Sequence, residues 1–163
     1  MNYQEVIDNI YQEVKPLFGK GKVADYIPAL ANVNPQQYGI AIATLDGQLI
    51  GTGDYQTKFS IQSISKVFTL AMVVRHMGGE LWKYVGREPS GTPFNSLIQL
   101  EHEHGIPRNP FINAGALVVT DKLINLYHRP KEAILQFVRG VAGNDDIYFA
   151  KLVAQSAMEH ASR

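Results

Sequence analysis

Asp46–Gly47 is the feature that most constrains how this chain folds. It lies between "YGIAIATL" and "QLIGTGD", two short runs that alternate β-branched with small residues. Asp-Gly in that setting is the strongest short-range hairpin signal, because a two-residue type I′ turn needs positive φ at both central positions. Two antiparallel strands are therefore predicted on either side of it. Nothing later in the chain reads as a convincing strand, and a lone two-stranded ribbon is marginal in water. The sheet these strands belong to is expected to be incomplete within these residues.

Around the hairpin the patterns are helical. Val6, Ile7, Ile10, Val14 and Leu17 recur at helical spacing, with Pro16 and Gly19 placed to end the helix. The segment that follows is broken by Pro28 and Pro35 and should lie over the core. Residues 63–77 predict a helix buried on most sides, since Ile64, Val67, Phe68, Leu70, Met72 and Val73 leave it little polar surface. "GREPSGTPFNS" and "HGIPRNP" are loop sequences, of the kind that carries binding groups on a scaffold. "AGALVVTDKLINLYH" predicts a helix capped by Asn113, and "KEAILQFVRG" predicts one stopped by Gly140. "DDIYFAKLVAQSAMEHASR" predicts a last helix, with Asp145 and Asp146 favoured at its start by the helix dipole. No stop signal follows it. The expectation is a single α+β domain over residues 1–163, the N-terminal part of a longer domain whose C-terminal strands are missing.

Composition removes several function classes. Fifteen Lys plus Arg balance fifteen Asp plus Glu, so the excess of basic residues a nucleic-acid binder needs is lacking. With no cysteine, disulfides, thiolate catalysis and cysteine-ligated metals are excluded. "MNYQEVIDNIYQEV" has neither a basic start nor an apolar core, so no signal peptide is read there. No apolar stretch approaches the roughly 18 residues of a membrane span. A cytoplasmic protein with no membrane partner is expected. His102 and His104 in "EHEH" diverge if helical, and no third ligand accompanies them, so no metal site is expected. "GREPSG" lacks the Gly-Lys-Ser/Thr ending of a phosphate-cradling loop.

Ser63 and Lys66 stand three apart at the head of the most apolar helix, where side chains at that spacing are neighbours on one face. A serine hydroxyl is a poor nucleophile until a base takes its proton. A lysine serves as that base only when its pKa is lowered, and desolvation does this by disfavouring the ammonium form. Backbone N–H groups at the helix start are also placed to stabilise an oxyanion. A plainer reading stands beside this one: Ser63 as an N-cap and Lys66 extended to solvent.

"GKVADYIPALA", "FSIQSISKVF", "EPSGTPFNS" and "IPRNPFINAGALVV" together resemble the serine-dependent glutaminases, which share the fold of β-lactamases and penicillin-binding transpeptidases. The resemblance runs from about residue 20 to Arg163. It implies Ser63 as the catalytic nucleophile, Lys66 as the general base and Tyr26 as a third member of the catalytic set. It also implies that Gln62, Tyr26 and Asn113 bind substrate, with Tyr26 lining the pocket and Asn113 holding the amino-acid part of L-glutamine. The implied reaction is hydrolysis of the side-chain amide to glutamate and ammonia through an acyl-enzyme, with no cofactor. Read without the family, Tyr26 is a packing tyrosine, Asn113 a helix cap, and Gln62 carries no meaning.

Two departures accompany the resemblance. The family carries a Ser-Glu pair on the last helix, where this chain has Ser156–Ala157; Glu159, about 200° further round, is a poor substitute. The chain also contains no Lys-Thr-Gly or Lys-Ser-Gly strand motif. A nucleophile-bearing fragment of low activity is therefore expected, exposing apolar helix surface and associating into a homo-oligomer. The alternatives are a penicillin-recognising hydrolase with the same Ser-x-x-Lys pair, and a catalytically dead chain acting only in subunit association.

Overall fold

The computed structural model describes residues 1–91, 93, 95, 100 and 104–160. The elements run α1 (Tyr3–Val14), α2 (Pro28–Ala31), β1 (Gly39–Ala43), β2 (Leu49–Gly53), α3 (Ser65–Met77), α4 (Asn113–Leu126), α5 (Pro130–Ala142) and α6 (Lys151–His160). Six helices and one two-stranded antiparallel sheet among the described residues make the chain α+β, as expected. Contacts divide it into two compact units, Met1–Ser60 with Ala150–Arg163, and Ile61–Phe149.

In the first unit, the Asn2 side chain caps α1 by accepting from the Glu5 N–H at 3.3 Å. The helix lays Ile7, 2% exposed, against the hairpin. Val6 and Ile10 stay on its open side, so the buried stripe is narrower than the spacing predicted. Strand register pairs Gly39 with Gly53 and Ala43 with Leu49. The turn differs from the expectation. Gly47 alone has positive φ (+86°), and its N–H donates to Thr44 O while the Thr44 N–H donates to Gln48 O. This is the three-residue hairpin loop with glycine at the left-handed position, which leaves Asp46 in an ordinary conformation. At the far end, Gly53 (φ +66°) admits no side chain, since a Cβ would sit 2.3 Å from Tyr38 O. Tyr11, Phe18 and Tyr38 pack there with ring centroids 5.2–5.9 Å apart. In the same unit α2 meets α6: the Ala29 N–H, unpaired within so short a helix, donates to Ser156 Oγ at 3.2 Å.

In the second unit, α3 packs against α4 and α5. The core is Met72 and Val73 of α3, Leu81 and Val85 just beyond it, and Val119 and Leu123 of α4. The sequence predicted one helix over 63–77, buried on most sides. Residues Gln62–Ile64 are instead a 3₁₀ turn, and the α-helix begins at Ser65. Ile64 and Val67 are each 52% exposed, so one face of α3 is uncovered in this chain. Gly140 does not stop α5. The helix runs to Ala142 and ends on Gly143, whose φ of +58° is the left-handed C-cap. Asp145 and Asp146 precede α6 rather than starting it. In the stretch before α6, Arg139 Nε donates to Ile147 O at 2.9 Å.

Candidate active site

Ser63 lies on the 3₁₀ turn, exposed, immediately before α3. The residue before it, Gln62, has φ +44°, a left-handed conformation uncommon for a non-glycine residue and characteristic of strained functional turns. The turn uses two of its own N–H groups: Ile64 donates to Ile61 O at 2.9 Å, and Ser65 donates to Gln62 O and Ser63 O. An oxyanion at this end of α3 therefore needs donors other than these two.

Lys66 does not extend to solvent. Its half-buried side chain crosses to the strap ahead of α4, and Nζ donates to Phe111 O at 2.8 Å and Asn113 Oδ1 at 2.9 Å. Desolvation pushes the amine below the ordinary lysine value. Its place on the first turn of α3, at the positive end of the helix dipole, acts in the same direction. The result is an amine whose charged form is disfavoured by burial, one helical turn beyond a hydroxyl. Among the described residues no hydrogen bond joins Ser63 Oγ to Lys66 Nζ.

Asn113 is the first residue of α4, not its N-cap. That position belongs to Ile112, which has no side chain to donate or accept. The Asn113 amide oxygen is instead engaged by Lys66. The strap that brings it there is set by close backbone packing. The N–H groups of Gly86 and Glu88 donate to Pro107 O (2.7 Å) and Arg108 O (2.9 Å), and a Cβ on Gly115 would lie 1.9 Å from Asn109 O. Only glycine lets α4 approach the strap so closely. Cavities of about 390 and 440 Å³ flank the strap, neither lined by Ser63 or Lys66.

Of the five residues singled out from sequence, Lys66 and Asn113 are in direct contact, and Gln62 and Ser63 occupy the turn that leads to Lys66. Tyr26 belongs to the first unit and is 69% exposed. On α6, Ser156 is engaged by α2, Ala157 follows it half-buried, and Glu159 is exposed and accepts from Gln155 Nε2 at 2.9 Å. His102 lies outside the described residues, as does part of "GREPSGTPFNS"; His104 is exposed on a turn at φ +54°. Sequence reasoning missed the Phe111 carbonyl as a partner of Lys66, and Asn109 as the residue that shapes the strap. The Asn-Pro pair at 109–110 was the available signal, since it favours turn initiation.

A hairpin covered by one helix and followed by a helical region is the N-terminal arrangement of the β-lactamase-like fold. Within that fold class, residues 21–163 match the glutaminase family, and the chain belongs to it. Glutaminase 2 of Escherichia coli (strain K12) is 56% identical over 159 residues, 97% of this chain and 52% of that protein. A glutaminase of Marinomonas sp. (strain MWYL1) is 54% identical over 98% of this chain and 53% of its own length. The chain thus spans about half the length of the curated relatives it matches. Among solved structures, the probable glutaminase ybaS superposes with a TM-score of 0.88 at 36% identity, over 96% of this chain and 50% of that one. A probable glutaminase from Bacillus subtilis, complexed with 6-diazo-5-oxo-L-norleucine, gives 0.80 at 28% identity, over 99% and 48%.

Proposed function

We propose that this chain is the nucleophile-bearing part of a glutaminase, which hydrolyses L-glutamine to L-glutamate and ammonia. Ser63 attacks the carbon of the side-chain amide, and Lys66, as the neutral amine, takes the hydroxyl proton. That proton passes to the leaving nitrogen, ammonia departs, and water hydrolyses the acyl-serine with Lys66 again as base. Asn113 and Gln62 hold the amino-acid part of the substrate, and Tyr26 walls the pocket. Both units belong to one cytoplasmic, homo-oligomeric glutaminase domain.

The observation that carries this reading is the Lys66 amine, lodged between Phe111 O and Asn113 Oδ1 and held below its ordinary pKa by desolvation. Family membership and the half-length match support the reading of a part rather than a whole. Ala157 weakens it as a catalyst. Where a glutamate would pair with the substrate's ammonium, a charge-assisted hydrogen bond of about 1.5–3 kcal/mol is lost.

The test is ammonia release from L-glutamine by the chain, alone and mixed with a C-terminal complement taken from a full-length relative. Ser63→Ala is the control and is expected to lower the rate by several orders of magnitude. Equal rates for parent and Ser63→Ala would remove Ser63 from the mechanism.

A further inference from the structure

We propose that Asn109 is a positioning residue for Lys66, holding the 111–112 peptide at the angle that presents its carbonyl to the amine. This rests on the reading of Lys66 as the base, and it deepens that reading by naming what aims the base.

The argument begins at one peptide group. The Phe111 carbonyl that receives Lys66 Nζ and the Ile112 N–H belong to the same planar unit, and in a trans peptide they point in opposite directions. Whatever grips the N–H therefore sets the direction of the carbonyl. Asn109 Oδ1 grips it, accepting from the Ile112 N–H at 3.1 Å and from the Phe111 N–H at 3.0 Å. Both donors precede α4 and have no partner within that helix, and the residue at the cap position, Ile112, cannot supply one. Asn109 does so from three residues earlier.

The other end of the same amide is anchored. Asn109 Nδ2 donates to Glu88 O at 2.9 Å, on the segment that Gly86 and Glu88 already tie to the strap through Pro107 O and Arg108 O. Amide geometry fixes the two ends relative to each other, so Asn109 connects the 86–88 segment rigidly to the peptide that faces Lys66. Among uncharged side chains of that size, only asparagine carries acceptor and donor on separate atoms, so that one end takes two N–H groups while the other reaches a carbonyl. Aspartate keeps the acceptor and loses the donor. Alanine loses both.

The experiment follows the ¹³Cε signal of Lys66 in the full chain labelled at lysine, assigned by its disappearance in Lys66→Arg. Lys122, whose amine lies 3.9 Å from the centre of the Tyr84 ring in the same unit, is the internal reference. In the parent the Lys66 signal is expected away from those of the exposed lysines. Asn109→Ala is expected to return it to the exposed-lysine position while Lys122 stays in place, and Asn109→Asp to leave it displaced. A parent signal already at the exposed position overturns the proposal, as does an unmoved Lys66 signal in folded Asn109→Ala. If Asn109→Ala moves both signals because the unit unfolds, Asn109→Asp decides: a displaced Lys66 signal supports the role, and one at the exposed position refutes it. No glutamine turnover enters the readout, so a chain that hydrolyses nothing still answers the question.

Discussion

Adding a single methyl group at Gly115 is expected to destabilise the second unit and to loosen the hold on Lys66. The new Cβ would lie 1.9 Å from Asn109 O, 2.8 Å from Asn109 C and 3.0 Å from Pro110 Cα, all of them backbone atoms with no rotamer to escape through. Relieving the closest contact requires α4 and the strap to separate by roughly an ångström, a movement large enough to break the 2.8 Å bond from Lys66 Nζ to Phe111 O. Two terms oppose each other. Overpacking of this kind costs about 1–3 kcal/mol. Replacing a helical glycine by alanine returns about 0.5–1 kcal/mol. With only backbone atoms to yield, the upper end of the first range applies, and the net expectation is a loss of about 2–2.5 kcal/mol, or roughly 8–20 °C in the melting temperature of a unit this size. Trp82 is the only tryptophan and sits in the second unit, so its fluorescence in urea reports that unit selectively. A Gly115→Ala chain whose urea midpoint equals or exceeds the parent's would refute the close approach of α4 to the strap.

Gly140 provides the opposite sign for the same chemical change. It lies within α5, exposed, and a Cβ there meets nothing within 4 Å. Gly140→Ala should therefore raise the urea midpoint by the equivalent of about 0.5–1 kcal/mol; a fall would show a constraint at that turn. A second prediction concerns pH. Burial disfavours the Lys66 ammonium, so the unfolded chain holds that proton more tightly than the folded one, and stability rises with pH between the lowered folded value and the ordinary lysine value. Lys66→Met removes the penalty at every pH. The stability of Lys66→Met relative to the parent, from paired urea titrations, should therefore fall across that window; a pH-independent difference would refute the shift.

The parts of the fold legible in the sequence were those set by neighbours along the chain. Asp46–Gly47 located the hairpin, and helical spacing found α1, α3, α4 and α5. The choice of turn was not legible, because Asp-Gly suits both a two-residue loop and a three-residue loop with only the glycine at positive φ. Gly140 read as the stop signal, and what makes Gly143 the true end is that it, and not Gly140, takes the left-handed conformation. Asn113 read as a cap because asparagine usually is one at a helix start. Its amide is drawn off by an amine 47 residues away, a contact no local pattern encodes. The Ser63–Lys66 spacing was visible, whereas the surroundings that desolvate Lys66 come from the strap. The uncovered face of α3 was misread as buried because the apolar pattern records what a helix can bury, and Ile64 and Val67 find no cover in this chain.

The first unit is discontinuous: its opening sixty residues are joined by α6, and the bond from the Ala29 N–H to Ser156 Oγ closes a span of 127 residues. The second unit is an uninterrupted segment between the two pieces. During synthesis, Ile61–Phe149 has all its own contacts available as soon as it leaves the ribosome, while α2 must wait for α6 to be made. The hairpin and α1 contact each other and need nothing made later, so within the first unit it is the docking of α2 that comes last. Loop-closure entropy over so long a connection opposes that final docking.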